Sequence, residues 1–197
     1  MLVTKIEETS GKKRRIYLND EPAFLLYYSE ISRFHIKENQ ELPEIIEKEI
    51  YSTVLSKRAK LRCMYLLKSM DKTESQLRQK LLKDEYPEEI IEEAIAYVKS
   101  YHYVDDARYA LHYIEYKKWN RSRQQIKYDL MGKGISTDLI EAAWDETEPV
   151  DETLQIRKWA DKKHFDPENA DRKETQKFFQ FLMRKGFLLS DIKKALT

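Results

Sequence analysis

The chain has 197 residues, of which 41% are hydrophobic and 36% charged, with only 4 Gly and 5 Pro. That mix fits helices carrying one apolar stripe and a heavily charged outside, and it leaves little glycine for a phosphate-cradling loop. The net charge of +1 excludes a global pull toward nucleic acid or membranes, and the single cysteine, Cys63, excludes an internal disulfide and a Cys-rich zinc site.

Residues 1–42 read as a small β-element. Leu2-Val-Thr-Lys-Ile6 and Arg14-Arg-Ile-Tyr-Leu18 are strand-like, with Thr9-Ser-Gly-Lys-Lys13 as the hairpin loop between them. Asn19-Asp20-Glu21-Pro22 is a second turn signal. Phe24–Tyr28 is a third strand or the start of a helix, and Ser29-Glu30 is placed to cap a short helix with Ile31 and Phe34. A lone hairpin is marginal in water, so helices should cover its apolar face. No apolar run approaches the ~20 residues of a membrane span, and Met1-Leu-Val-Thr-Lys lacks the apolar core of a secretion signal. A cytoplasmic protein is expected.

From Pro43 the periodicity is helical. Leu55, Ala59, Cys63, Leu66 and Leu67 share one face of a first long helix ending near Ser69-Met-Asp71. Thr73-Glu-Ser-Gln76 is a capping box opening a helix with Leu77 and Leu81 on its core face. After a break at Asp84-Glu-Tyr86, Pro87 starts a helix striped by Ile90, Ile91, Ala94, Ile95 and Val98.

Forty-nine residues on, the same programme returns. Ser122-Arg-Gln-Gln125 matches the capping box, Ile126 and Leu130 the core pair, and Ile135, Leu139, Ile140 and Ala143 the downstream stripe. A third copy carries Leu154, Ile156, Trp159 and Ala160 on its first helix, and its Leu182-Met-Arg-Lys-Gly-Phe187 repeats Leu130-Met-Gly-Lys-Gly-Ile135. Gly134 and Gly186 are placed to end helices in the left-handed conformation. Ser190 should cap a last helix with Ile192, Ala195 and Leu196. The expected fold is mainly α. Three tandem three-helix repeats, at 43–102, 103–150 and 151–197, follow the β-element in an elongated, curved array in which each repeat mainly contacts its neighbours.

No constellation of residues supports catalysis. His35, His102, His112 and His164 form no His-Glu-x-x-His and do not pair with Cys63 at metal-ligand spacing. No cofactor is called for. Asp105-Asp106 is read as a helix N-cap and a first-turn charge for the helix carrying Ala107, Ala110, Leu111 and Ile114, rather than as an acid/base pair.

Charge is more informative. Ile50–Met70 holds no acid but carries Lys57, Arg58, Lys60, Arg62 and Lys68; Tyr116–Tyr128 holds none but carries Lys117, Lys118, Arg121, Arg123 and Lys127. The third helices of the first two repeats are acidic instead, and the last repeat turns basic again. Such patches suit either internal pairing between helix faces or a charged, repetitive partner, a helical filament or a nucleic-acid backbone. Tyr113, Tyr116, Trp119 and Tyr128 interleave with the second basic window and are expected to pack against apolar surface rather than to stack on bases.

The order of a Leu-rich helix, the Thr73-capped helix, Tyr103-Val-Asp-Asp-Ala-Arg-Tyr-Ala110, Arg121-Ser-Arg-Gln-Gln-Ile126 and Leu130-Met-Gly-Lys-Gly-Ile135 resembles the RecX family of bacterial regulators. The N-terminal strands resemble the leader of its Firmicutes-type members. The resemblance implies a non-enzymatic monomer that binds the RecA recombinase and its filament on single-stranded DNA. It further implies inhibition of RecA's ATPase, strand exchange and coprotease activity. Arg58, Arg62, Lys117, Lys118, Arg121, Arg123 and Lys127 are the expected contacts to RecA or DNA phosphate, with Thr73, Asp105, Ser122, Gly134 and Gly186 as structural caps. The alternative is a helical-repeat module that binds nucleic acid directly, without RecA; a weak direct DNA contact fits the regulator too. The sequence departs from the family pattern at two turns: His102 stands where a Gly usually precedes the Tyr-hydrophobic-Asp-Asp motif, and Asp84-Glu85 replaces Lys-Gly in the first repeat.

Overall fold

A computed structural model describes residues 1–9 and 11–196, which fall into two compact units, Met1–Val104 and Asp105–Thr197. In the first unit, β1 (Leu2–Glu8), β2 (Lys13–Leu18), β3 (Glu21–Tyr27) and β4 (Gln40–Glu41) form an antiparallel sheet in the order β3-β2-β1-β4. The expected hairpin loop contains Ser10, which lies outside the described residues. Pro22 falls on the edge strand β3, where a missing N–H weakens no central ladder. The third apolar run is therefore a strand that passes directly into α1 (Tyr28–Arg33). Glu30 sits in the first turn of α1 and accepts from the Tyr27 N–H at 2.8 Å, so the entry to α1 is tied at Tyr27, two residues before the Ser29-Glu30 pair expected to cap it.

Alternate residues of the sheet (Val3, Ile16, Leu18, Phe24 and Leu26) are buried and share one core with the helices that follow. Those are α2 (Glu44–Glu49), a π-helical segment (Ile50–Leu55), α3 (Ser56–Ser69), α4 (Glu74–Lys83) and α5 (Glu88–Ser100). The Phe24 ring meets Tyr51 edge-on at 5.5 Å, joining sheet to helix. The π segment was not legible in the sequence. Its wide turn loosens the regular bonding of carbonyls, and hydroxyls compensate: Ser52 donates to the Lys48 carbonyl at 2.8 Å and Thr53 to that of Glu49 at 2.7 Å.

The second unit holds α6 (Asp106–Lys117), α7 (Arg123–Met131), α8 (Thr137–Asp145), α9 (Glu152–Lys163), α10 (Arg172–Arg184) and α11 (Leu189–Leu196). The last helix begins one residue before Ser190. Asp105 caps α6 by accepting from the Arg108 N–H at 2.9 Å. Thr73 and Gln76 complete a full capping box on α4, each side chain accepting from the other's backbone N–H at 3.2 Å. In α7 only the Ser122 half of the box forms, accepting from the Gln125 N–H at 3.2 Å.

Every repeat closes its middle helix in the same way. Tyr86, Ile135 and Phe187 donate back to the Leu81, Leu130 and Leu182 carbonyls, at 3.2, 3.1 and 3.2 Å. The residue before each takes a left-handed φ: Glu85 at 59°, Gly134 at 84° and Gly186 at 83°. This is the Schellman closure, with the apolar residue that follows packed onto the helix. Glu85 does what glycine does elsewhere at a cost of about 1–2 kcal/mol, and Arg15 of β2 holds it with two bonds of 2.8 Å to its carboxylate. That pair keeps the Glu85 carboxyl below its ordinary range, through the Arg15 hydrogen bond first. His35, His102 and His164 fill the same left-handed position at the ends of α1, α5 and α9. Three of the chain's four histidines thus serve backbone geometry.

The second and third repeats each have their own apolar core. Polar bonds clasp them together. Ser122 donates its hydroxyl to the Lys185 carbonyl at 2.8 Å, the buried Gln155 donates to the Lys118 carbonyl at 2.6 Å, and Glu152 accepts from the Arg123 N–H at 2.5 Å. A Cβ on Gly186 would lie 2.6 Å from the Ser122 Oγ and 3.3 Å from the Gln125 nitrogen.

Gly186→Ala combines that collision with left-handed strain, so it should lower unfolding stability by more than the ~1–2 kcal/mol of the strain alone, measured by denaturant melts against wild type. Burial, ahead of any charge, raises the Glu152 carboxyl above its ordinary 4.5, and the Arg123 N–H only partly opposes this. The folded state therefore binds that proton more tightly than the unfolded chain, and Glu152 stabilises below pH 4.5 and loses its contribution as pH rises through the raised value. Glu152→Gln keeps an acceptor for Arg123 and should flatten this fall; equal slopes of stability against pH in the two proteins would refute the assignment.

Candidate functional site

The two basic windows fold into helices whose cations are mostly answered from within the chain. Arg58, on α3, is an internal staple. It donates to the Leu25 carbonyl of β3 at 3.0 Å and to both oxygens of Glu30 at 2.5 and 2.6 Å, and it lies over the Tyr27 ring at 4.9 Å. Its fork closes the outer edge of β3 and fixes α1 to α3, a use that suits planar guanidinium and not lysine. Arg62 pairs with Asp84 at 2.7 Å, tying α3 to the end of α4.

In the second window, Lys118 is only 3% exposed. Its ammonium sits on Glu115 at 2.8 Å and near the Glu148 carbonyl at 3.4 Å, binding the end of α6 to the segment that enters α9. Arg58 and Lys118, both expected to meet a partner, are thus committed to the fold. Adjacent in sequence to solvated cations, they carry no signal that separates them; only the packing does.

The other members lie nearer solvent. Arg123 and Lys127 share Glu141, at 2.6 and 2.7 Å, and together hold its carboxyl below the ordinary range, Lys127 contributing most. Arg123 also lies over the Trp144 ring at 5.1 Å. Arg121 pairs with Asp129, which also accepts from the Tyr113 hydroxyl at 2.9 Å. Burial first, then Asp129, pushes that phenol up to about 12. Lys117 lies over the Tyr116 ring at 4.6 Å. Surface pairs of this kind contribute about 0–1 kcal/mol each, so a partner's carboxylates or phosphates could replace Glu141 or Asp129 at small cost. Arg121, Arg123 and Lys127 converge with Trp144 on an open cavity of about 570 Å3 between the second and third repeats.

The aromatics of this window depart from expectation. Tyr116, Trp119 and Tyr128 are 75%, 55% and 64% exposed, and only Tyr113 is tied down. The acidic third helices turn out to be partnered by cations of the first and middle helices: Lys60 of α3 meets Glu93 at 2.6 Å, and Arg78 of α4 meets Glu88 and Glu92. The charge pattern of the first two repeats is therefore in large part internal complementarity. The third repeat differs. Eleven Lys and Arg stand against eight Asp and Glu between residues 151 and 197, and sequence reasoning saw this excess without placing it. No helix among the described residues is long and apolar enough to cross a membrane, and no group of three or more His, Cys, Asp or Glu side chains among them is arranged to hold a metal ion.

Comparison with known proteins covers the whole chain. Sequence models of the RecX first, second and third three-helix domains match residues 59–97, 105–143 and 151–196. The regulatory protein RecX of Clostridium tetani is 30% identical, over 99% of this chain and 93% of that protein. The regulatory protein RecX of Caldanaerobacter subterraneus is 31% identical, over 100% and 99%. A crystal structure of regulatory protein RecX superposes with a TM-score of 0.67 at 26% identity, covering 99% of this chain and 98% of that one. The crystal structure of RecX from Lactobacillus salivarius, at 21% identity and a TM-score of 0.60 over 72% of this chain and 94% of that one, shares the fold. Three family domains in order along one chain, with full-length relatives on both sides of the 30% mark, place this protein in the RecX family of regulatory proteins.

Proposed function

We propose that this protein is a cytoplasmic, non-enzymatic regulator that binds the RecA recombinase and its filament on single-stranded DNA, acting as a monomer. It lowers RecA's ATPase, strand-exchange and coprotease activities and so modulates recombination and repair. The observation that carries this reading is the full set of three RecX domains in one chain, with relatives named as regulatory proteins along its whole length. An inhibitor of this kind works only by binding one filament state better than another. The proposed contacts are Arg121, Arg123 and Lys127, whose pairs with Asp129 and Glu141 exchange readily for acidic groups of a filament, together with Lys117, which lies over the Tyr116 ring. Arg62 is a second, weaker contribution from the first unit, because its bond to Asp84 is half-exposed.

Titrated into a single-strand-dependent RecA ATPase assay, the wild-type protein should inhibit at concentrations well below those that coat naked DNA. Arg121→Glu with Arg123→Glu should weaken inhibition about tenfold or more, the loss of roughly 1.4 kcal/mol of binding, while the helical circular-dichroism signal stays native. Unchanged inhibition by that double variant would remove these residues from the contact. Arg58→Ala serves as a contrast: losing its charged hydrogen bonds should cost about 2 kcal/mol of stability, and any loss of inhibition should track unfolding.

A further inference from the structure

In the first unit an open groove of about 860 Å3 runs between α2 with its π-helical continuation and the start of α5. α2, Glu44-Ile-Ile-Glu-Lys-Glu49, buries none of its six residues. A helix so short does not hold by propensity alone, and the π segment that continues it supplies the burial, through Ile50 and Leu55. Ile46 packs partly on the core, but Ile45 is left 76% exposed. Ile45 precedes Lys48, a groove residue, by three positions, so it stands on the same side of α2 and forms the rim.

The accessible apolar lining comes from the half-buried Tyr51 ring and from Met1, which a pair of backbone bonds to Leu42, at 2.7 and 3.1 Å, holds in place. The polar lining is acidic. Glu44 is answered by Lys48 and Glu93 by Lys60. Glu47 and Glu89, one on each wall, form no ion pair among the described residues. Both act on the Tyr51 phenol, which burial first, then Glu89 and Glu47, push up to about 12. Their places in the first turns of α2 and α5 suit the helix dipoles, but a dipole does not require two unpaired carboxylates to converge on one ring from opposite walls.

We propose that this groove docks a basic amphipathic helix of a protein partner, which lays an apolar side chain against Ile45, Met1 and Tyr51 and sets lysine or arginine on Glu47 and Glu89. Two helical walls with an apolar lining suit a third helix laid between them. The charge selects its sign: four carboxylates against the single Lys48 among the lining side chains repel an acidic peptide or a phosphate backbone. A small polyamine would use the carboxylates and leave Ile45 and Met1 idle. The basic windows of α6 and α7 call for a partner of the opposite sign, so the groove adds a second, basic partner surface to the regulator reading and does not rest on it. Its test contains no RecA, and its failure leaves that reading untouched.

The test is binding of the full chain, by fluorescence anisotropy, to a labelled Leu/Lys peptide patterned as an amphipathic helix. A scrambled peptide of the same composition, a Leu/Glu counterpart and spermine as competitor are the comparisons. Wild type should prefer the patterned peptide to the scrambled one by at least about tenfold, as expected for one buried leucine. Glu47→Lys with Glu89→Lys should weaken it about tenfold or more, because two surface pairs worth up to about fivefold each become repulsions. Ile45→Ala should weaken it by at least about fourfold, the worth of one buried methylene. Equal binding of patterned and scrambled peptides overturns the groove in favour of diffuse attraction, and unchanged affinity in either variant overturns the placement. Leu/Glu peptide bound as tightly as Leu/Lys overturns the charge argument, and spermine bound as tightly overturns the helix in favour of a small polycation. Should the charge-reversed protein melt early, Glu47→Gln with Glu89→Gln removes the charge at constant size and, with Ile45→Ala, still decides.

Discussion

Each repeat must end its middle helix, reverse the chain and start the next helix within about four residues, without stranding buried carbonyls. The left-handed closure meets that demand, and the rest of the molecule depends on it. It places Tyr86, Ile135 and Phe187 back over the helix just finished. Where glycine is present the closure costs nothing sterically. In the first repeat it is Glu85, and the strain is tolerated because its carboxylate is held by Arg15. The closure of the first repeat and the N-terminal sheet are therefore coupled: the residue that a glycine would replace is also the one that ties the sheet to the helices.

The two compact units use different chemistry to hold their parts together. In the first, sheet and helices pool their side chains into one apolar core. In the second, two small cores stay separate and are joined through Ser122, Gln155, Glu152 and the buried Lys118. Apolar burial is non-directional and tolerates adjustment. Hydrogen bonds are directional and fix one geometry, at a high cost if a partner is lost. The second unit thus sets the mutual placement of its repeats by a few polar bonds, and Gly186 is needed because those bonds require the backbones to approach closely.

Internal pairing consumes most of the charge in the first two repeats. Cations of the first and middle helices answer the acidic third helices. The exposed pairs around Glu141 and Asp129 are weak enough to be exchanged, and among the described residues the lysines over Trp159 form no ion pair. Both surfaces lie in the second unit. Such an arrangement favours specificity, because the internally paired charge is already neutral toward indifferent partners.

The sequence by itself determined the repeat and most of the secondary structure, though not the π-helical segment or β4. Apolar periodicity, the Thr73 and Asp105 caps and the glycines at 134 and 186 act within a turn or two of themselves, so their consequences are local and legible. The identity of the family followed from those same residues in order. The tertiary structure alone decided which of several similar cations are solvent-facing. Lys117 and Lys118 are neighbours at the end of α6, yet Lys118 is a staple and Lys117 is not, and Arg58 is held by β3 and α1 while Lys57 beside it is exposed, because burial depends on what a distant segment brings to that spot. The same holds for Glu85, whose left-handed turn rests on a strand 70 residues away. Local patterns fix elements; long-range packing fixes which of their side chains remain free to act.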